Sequence, residues 1–232
     1  MAKLMKQWLF LALCSCLGWP VVAQEKEDHR LRESYDVLRE VLEAPDKGIP
    51  HDLLDKAKCV IVVPSMKKGA FIVGASYGRG VMVCRRGEEF TGAWGAPAMF
   101  ALEGGSFGFQ AGGEATDYVI LVMNDKGAKS VMSSKVKLGG EASIAAGPVG
   151  RTSSAETDVA MNAEMLSWSR SKGVFGGVSL EGSTIRSDDE ANKKLYGKEL
   201  NAKQIILEGE VKTPAAGQPL EQLLNKTSPK HA

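Results

Sequence analysis

Glycine constrains this chain more than any other residue. The 232 residues include 26 glycines with no Gly-X-Y period, and aromatics make up only 6%. From Ala57 onward, short β-prone runs at 58–63, 70–74, 81–85 and 89–93 alternate with breaks at Pro64, Lys68-Gly69, Gly78-Arg79-Gly80 and Arg86-Gly87. That spacing predicts antiparallel hairpins. Further strands are expected at 106–111, 118–123, 136–139, 143–146 and 174–180. Gly105, Gly108, Gly112 and Gly113 mark bends, bulges or close backbone approach.

Helical spacing is confined to shorter stretches. Leu31, Tyr35, Leu38 and Leu42, joined by Val41, place a helix over 25–44 that Pro45 stops. Its other face mixes Arg30, Arg32, Asp36, Arg39, Glu40 and Glu43. A membrane-surface helix is more cationic, so packing against the domain is the favoured reading. Short helices are also expected at 50–54, 125–132 and 158–165. Ser187-Asp188-Asp189-Glu190 reads as a capping box with Ser187 as cap, opening a helix that ends at Gly197. Leu220, Leu223 and Leu224 predict a last short helix, with residues 227–232 as a disordered tail. The fold class is α+β and β-rich: antiparallel strands packed with an N-terminal helix and short C-terminal helices. Trp94-Gly95-Ala96-Pro97 reads as structural, because Pro97 restricts Ala96, Gly95 permits a bend and Trp94 offers a large apolar body.

The first residues stand apart. Lys3 and Lys6 precede the apolar run 8–13, Gly18-Trp19-Pro20 interrupts it, and Val21-Val22-Ala23 leads to Gln24. This is the three-part pattern of a secretory signal, too short to span a bilayer, with cleavage expected after Ala23. The alternative is lipoprotein processing at Cys16, which follows Leu13-Cys14-Ser15. Residues 24–226 then form one domain, exported to the periplasm or cell envelope. Losing Lys3 and Lys6 changes the formal net charge from +1 to −1 over 209 residues. A near-neutral chain has no global attraction for nucleic acid, and any pull towards anionic lipid must be local. Cys59 and Cys84 remain, both in apolar runs. Export permits a disulfide between them, and two buried free thiols are the alternative.

Catalytic motifs are weak. Gly104-Gly105-Ser106-Phe107-Gly108 matches G-x-S-x-G, but Phe109 to Gly113 is poor helix material and the only downstream histidine is His231. Ser134 with Lys137, and Ser169 with Lys172, match S-x-x-K without the accompanying elements of that arrangement. In the stretch 177–184, Ser183 stands where a phosphate loop needs lysine. His29, His51 and His231 are scattered, with no metal-ligand spacing. The sequence therefore points to no enzyme, no cofactor and no metal. Two basic groups stand out. Lys67, Lys68, Arg79, Arg85 and Arg86 fall at the proposed turns of the first hairpins. Arg170 and Lys172 lie beside Trp168 and Phe175. Such groups suit phosphate contact with aromatics at a membrane interface, whereas the plain alternative is solvated turns.

An ordered series of short motifs carries a family resemblance. It comprises Val63-Pro64, Gly78-Arg79-Gly80, Trp94-Gly95-Ala96-Pro97, Gly108-Phe109-Gln110-Ala111-Gly112, Lys137-Leu138-Gly139, Ala146-Gly147-Pro148-Val149-Gly150-Arg151, Ser169-Arg170-Ser171-Lys172-Gly173, Leu180-Glu181-Gly182, Asn192 and Tyr196-Gly197. The chain resembles the SYLF domain, a lipid-binding module of bacteria and eukaryotes, from about Leu31 to about Leu224. The resemblance implies binding rather than catalysis. Eukaryotic members are associated with phosphoinositide membranes and some fungal ones with actin, while bacterial ones look secreted or lipidated. Trp168 departs from the family's usual tyrosine and keeps an aromatic there. The expected partner is a phospholipid surface, with an envelope protein as the alternative and no nucleic acid. The candidate lipid contacts are Lys67, Lys68, Arg79, Arg85, Arg86, Trp168, Arg170, Lys172 and Phe175. Of these, Arg79, Arg170 and Lys172 come from family-like motifs.

Overall fold

Strand β1 (Cys59–Ala70) sends Cys59, Ile61 and Val63 to one side and Val60 and Val62 to the other, and all five are buried. A strand that is apolar on both sides needs cover on both. The computed structural model, which describes residues 19–44, 48–70, 73–107, 115–133, 135–149, 162–171, 173–209 and 211–230, provides that cover. β1 lies inside a nine-stranded sheet of order β5-β9-β3-β2-β1-β4-β7-β6, with β8 paired to β7. The other strands are β2 (Val73–Cys84), β3 (Ala98–Phe107), β4 (Ala115–Val122), β5 (Val136–Lys137), β6 (Ile144–Ala146), β7 (Met165–Ser171), β8 (Val174–Gly177) and β9 (Thr184–Ser187). All pairings are antiparallel except β6 with β7.

Helices close both faces. On the Ile61 side, α3 (Asp125–Ser133) and α5 (Ala202–Ile206) contribute Val131, Met132, Ile205 and Ile206. On the Val60 side, α1 (Trp19–Glu43) buries Leu31, Leu38 and Val41, and α2 (His51–Lys56) adds Leu54. α4 (Asp189–Tyr196) and α6 (Gln218–Thr227) add Ala191, Leu195, Leu220 and Leu224 on the same side. The apolar stripe of α1 is thus occupied by the domain, as its charge pattern suggested. Among the described residues no helix is long and apolar enough to cross a membrane. The α+β, β-rich class and the N-terminal helix are observed.

Several expected boundaries move, each for a local reason. Gly78-Arg79-Gly80 is not a turn but the middle of β2, and Lys68-Gly69 lies within β1. The register passes from Val62↔Val81 to Lys67↔Tyr77, so β1 bulges through Pro64 and Ser65, the latter at φ 50°. Proline lacks the N–H that a regular ladder needs, and the bulge accommodates it. Opposite the bulge the two backbones press together: a Cβ at Gly80 would lie 2.0 Å from the Val62 carbonyl oxygen. Those glycines therefore serve close approach rather than chain reversal. Of the proposed strand at 70–74, Ala70 ends β1 and Val73 and Gly74 open β2, while 71 and 72 lie outside the described residues; the proposed strand at 89–93 forms turns and bends instead.

Other expectations shift by less. Asp188, not Ser187, caps α4, its side chain accepting from the Ala191 N–H, while Gly197 ends the helix at φ 68°. Met165 opens strand β7 rather than closing a helix, and residues 150–161 lie outside the described residues. Ser106 lies within β3, opposite Gly74, and residues 108–114, which a helix after it would need, lie outside the described residues. Thr227, expected to open a disordered tail, instead ends α6, and Ser228 after it is fully buried.

Cys59 and Cys84 face each other across β1 and β2 and form a disulfide spanning 25 residues of sequence. Closing a loop of that length removes unfolded-state entropy worth about 3 kcal/mol. The double substitution Cys59→Ala/Cys84→Ala should lower the unfolding free energy by about that amount in urea titrations. An unchanged midpoint would show that the cross-link adds nothing to the hairpin.

Candidate functional site

The basic residues singled out from sequence separate into three places. Arg85, which follows the disulfide, turns inward and is 1% exposed. Its guanidinium donates to the carbonyl oxygens of Asp55, Ala57, Gly92, Ser228 and Pro229, and to Ser228 Oγ at 2.6 Å. It also lies 4.6 Å from the centroid of the Trp94 ring. Burial pulls its pKa below the usual arginine value, opposed by the charge of Asp55. Arg85 is a clasp on the C-terminal segment and no lipid contact. Trp94 belongs to the same clasp: it is fully buried, and its Nε1–H donates to the Ser228 carbonyl at 2.8 Å.

Arg79 and Arg170 tie the sheet to its helices. Arg79 meets Asp188 at 2.5 Å and Glu27 of α1 at 3.9 Å. Burial lowers its pKa, but the Asp188 hydrogen bond and the charges of Asp188 and Glu27 outweigh that and hold it above the usual value. Arg170 on β7 pairs with Asp117 of β4 at 2.8 Å and with Glu40 of α1. Each of these charges already faces two carboxylates, so neither is a spare cation for a headgroup. Trp168 is fully buried; its Nε1–H donates to the Pro148 carbonyl, and a Cβ on Gly147 would lie 2.0 Å from its ring. Phe175 is also buried. Neither aromatic reaches an interface. Cys16, Lys172 and Ser134 lie outside the described residues.

Lys67, Lys68 and Arg86 remain. Arg86 is exposed beyond the Cys84 end of β2 and pairs with Glu221 at 3.2 Å. Lys67 is exposed at the opposite end of the same hairpin, and Lys68 follows it on the strand. Among the described residues no carboxylate pairs with Lys67. Its register partner is Tyr77, which is 47% exposed. Paired residues of an antiparallel ladder share a face, so the ammonium and the ring stand side by side.

Two further exposed apolar residues, on other strands, lie towards the same end. Lys67 pairs with Ala115 at the start of β4, and two residues on, Asp117 pairs with Arg170 near the close of β7. The turn into β8 therefore sits at this end, and there Val174 is 68% exposed. β6 runs parallel to β7, which directs the chain towards this end at Val149, also exposed. Tyr77, Val149 and Val174 are the exposed large hydrophobics among the described residues. Sequence reading missed all three as a group. Tyr77 stands next to a glycine cluster taken for a turn, and β7, which carries the last turn to this end, was not expected.

The profile of the Ysc84 family, described as "Las17-binding protein actin regulator", matches residues 103–227, from β3 to the end of α6. LAS seventeen-binding protein 3 of Saccharomyces cerevisiae is 37% identical over 182 residues, covering 77% of this chain and 39% of its own. SH3 domain-containing YSC84-like protein 1 of Homo sapiens is 32% identical over 206 residues, covering 86% of this chain and 59% of its own. The chain thus spans between 39% and 59% of the length of these relatives. The profile takes in more than half of the chain, and the relatives' identity extends over most of it, so the chain belongs to the SYLF (Ysc84) family.

Proposed function

We propose that this chain is a non-enzymatic binding module that attaches to phospholipid through one end of its sheet. The observation that carries the reading is exposed Lys67 beside exposed Tyr77 at that end, with Val174 exposed at the same end of the sheet on its other face. A lysine beside a tyrosine suits the headgroup layer, the ring at the interface and the ammonium on phosphate. Both faces of the sheet are covered by helices, and Lys67 and Tyr77 stand exposed at the strand ends.

Export to a bacterial cell envelope, with cleavage after Ala23, is part of the same proposal. It is supported by the three-part leader and by the Cys59–Cys84 bond, since disulfides persist in oxidising compartments. Acylation at Cys16 is the alternative processing, and intact mass of the mature protein separates the two.

Flotation with phosphatidylglycerol vesicles tests the lipid site. Lys67→Gln/Tyr77→Ser should cost on the order of 2 kcal/mol, about 30-fold in affinity. Arg86→Gln at the far end should leave flotation unchanged. Raised salt should weaken the wild type more than the double variant. Equal flotation of double variant and wild type would place the lipid contact elsewhere.

A further inference from the structure

A groove opens at the other end of β2, independent of the lipid reading. It has a volume of about 790 Å³ and lies between α6 and the chain that links α5 to it. Ile205 and Ile206 form part of its floor, and Val211 part of its wall. α6 turns its polar face inward, because Leu220 and Leu224 are spent on the core and Gln218, Glu221, Gln222 and Asn225 recur at helical spacing on the opposite side.

The charge of this groove is unbalanced. Arg86, Lys212 and Lys226 line it, all exposed, against the single carboxylate of Glu221 among the described lining residues. Glu221 is already paired with Arg86, while Lys212 and Lys226 have no carboxylate partner among the described residues. Thr213, also in the wall, has a buried Oγ1 with no hydrogen-bond partner among the described residues. Buried hydroxyls are normally satisfied, so an orphan in a groove wall indicates a group that arrives from outside.

We propose that this groove docks an extended acidic peptide segment of a protein partner. Carboxylates of the segment meet Lys212 and Lys226, its apolar side chains rest over Ile206 and Val211, and its backbone supplies the partner that Thr213 Oγ1 lacks. A volume of 790 Å³ is within the range of ligand pockets and takes a few residues of chain. Tyr77 and Arg86 of the groove are nine positions apart along the chain, at most about 30 Å at about 3.3 Å per residue. A peptide held here and a surface held there do not compete for space.

Fluorescence anisotropy with two labelled hexapeptides, one alternating Glu and Leu and one alternating Lys and Leu, tests the proposal. The Glu/Leu peptide should bind at least tenfold more tightly, and Lys212→Glu/Lys226→Glu should reverse the preference. Both lysines are exposed, so the variant should keep the wild-type circular dichroism. Phosphatidylglycerol vesicles and excess inorganic phosphate should not displace the bound peptide. Equal binding of the two peptides, or an unreversed preference in the variant, overturns the proposal. Displacement by phosphate would make the groove an anion site, and displacement by vesicles a membrane site; either result also overturns it. Since flotation reads the other end of the sheet, failure here leaves the lipid proposal standing.

Discussion

Replacing Trp94 with alanine should lower the unfolding free energy by about 3–5 kcal/mol. The ring is fully buried in the cluster beneath α1 and α6, so its removal leaves a cavity that rigid strands cannot fill. The substitution also strips the Ser228 carbonyl of the indole donor at 2.8 Å and removes the face on which Arg85 rests. The backbone contacts of Trp94 with Asn225 of α6 survive, because its N–H donates to Asn225 Oδ1 at 2.9 Å without need of the ring. The native fold should therefore persist at low urea, with its midpoint shifted. A near-wild-type midpoint would mean that the ring does not occupy the core.

Arg85→Met should produce a loss of similar size, about 3–5 kcal/mol. Methionine fills much of the same volume, so the measurement isolates the polar shell. Five backbone carbonyls and one hydroxyl lose a charged donor at once. Lysine at the same position keeps the charge but cannot fork towards several carbonyls, and should fall between the two. A change below about 1 kcal/mol on Arg85→Met would show that burying the cation costs as much as its hydrogen bonds return. Because ring and guanidinium touch, the combined Trp94→Ala/Arg85→Met variant should lose less than the sum of the two.

The fold class was readable because it rests on period. Leu31, Leu38 and Val41 recur at helical spacing and are buried, and the apolar run from Cys59 to Val63 is a strand buried on both sides. Punctuation by glycine was less informative. A glycine in a turn and a glycine pressed against a neighbouring backbone look the same in sequence, and only the partner strand distinguishes Gly80 from Gly87. The sites suffered more. Arg85 and Arg86 are adjacent letters, yet one is enclosed by carbonyls from residues 55 to 229 and the other is exposed. Charge marks a residue as polar without saying whether the chain will surround it. Lys67 gained meaning only through Tyr77, and that pairing depends on how many residues the bulge at Pro64 absorbs. The groove could not be anticipated, since Arg86 and Lys212 meet only after the chain between them has folded.

The clasp at Arg85 also bears on the order in which this chain can assemble. Its guanidinium is coordinated by Ser228, 143 positions further along, and by Pro229 just beyond. During synthesis the cation is in place long before the oxygens that complete its shell, and no earlier segment supplies them. The interior around Trp94 and Arg85 therefore stays unfinished until residues 228 and 229 have been made. Here the delay is written into a contact of very high sequence separation, the kind that closes late because the intervening loop must be ordered first.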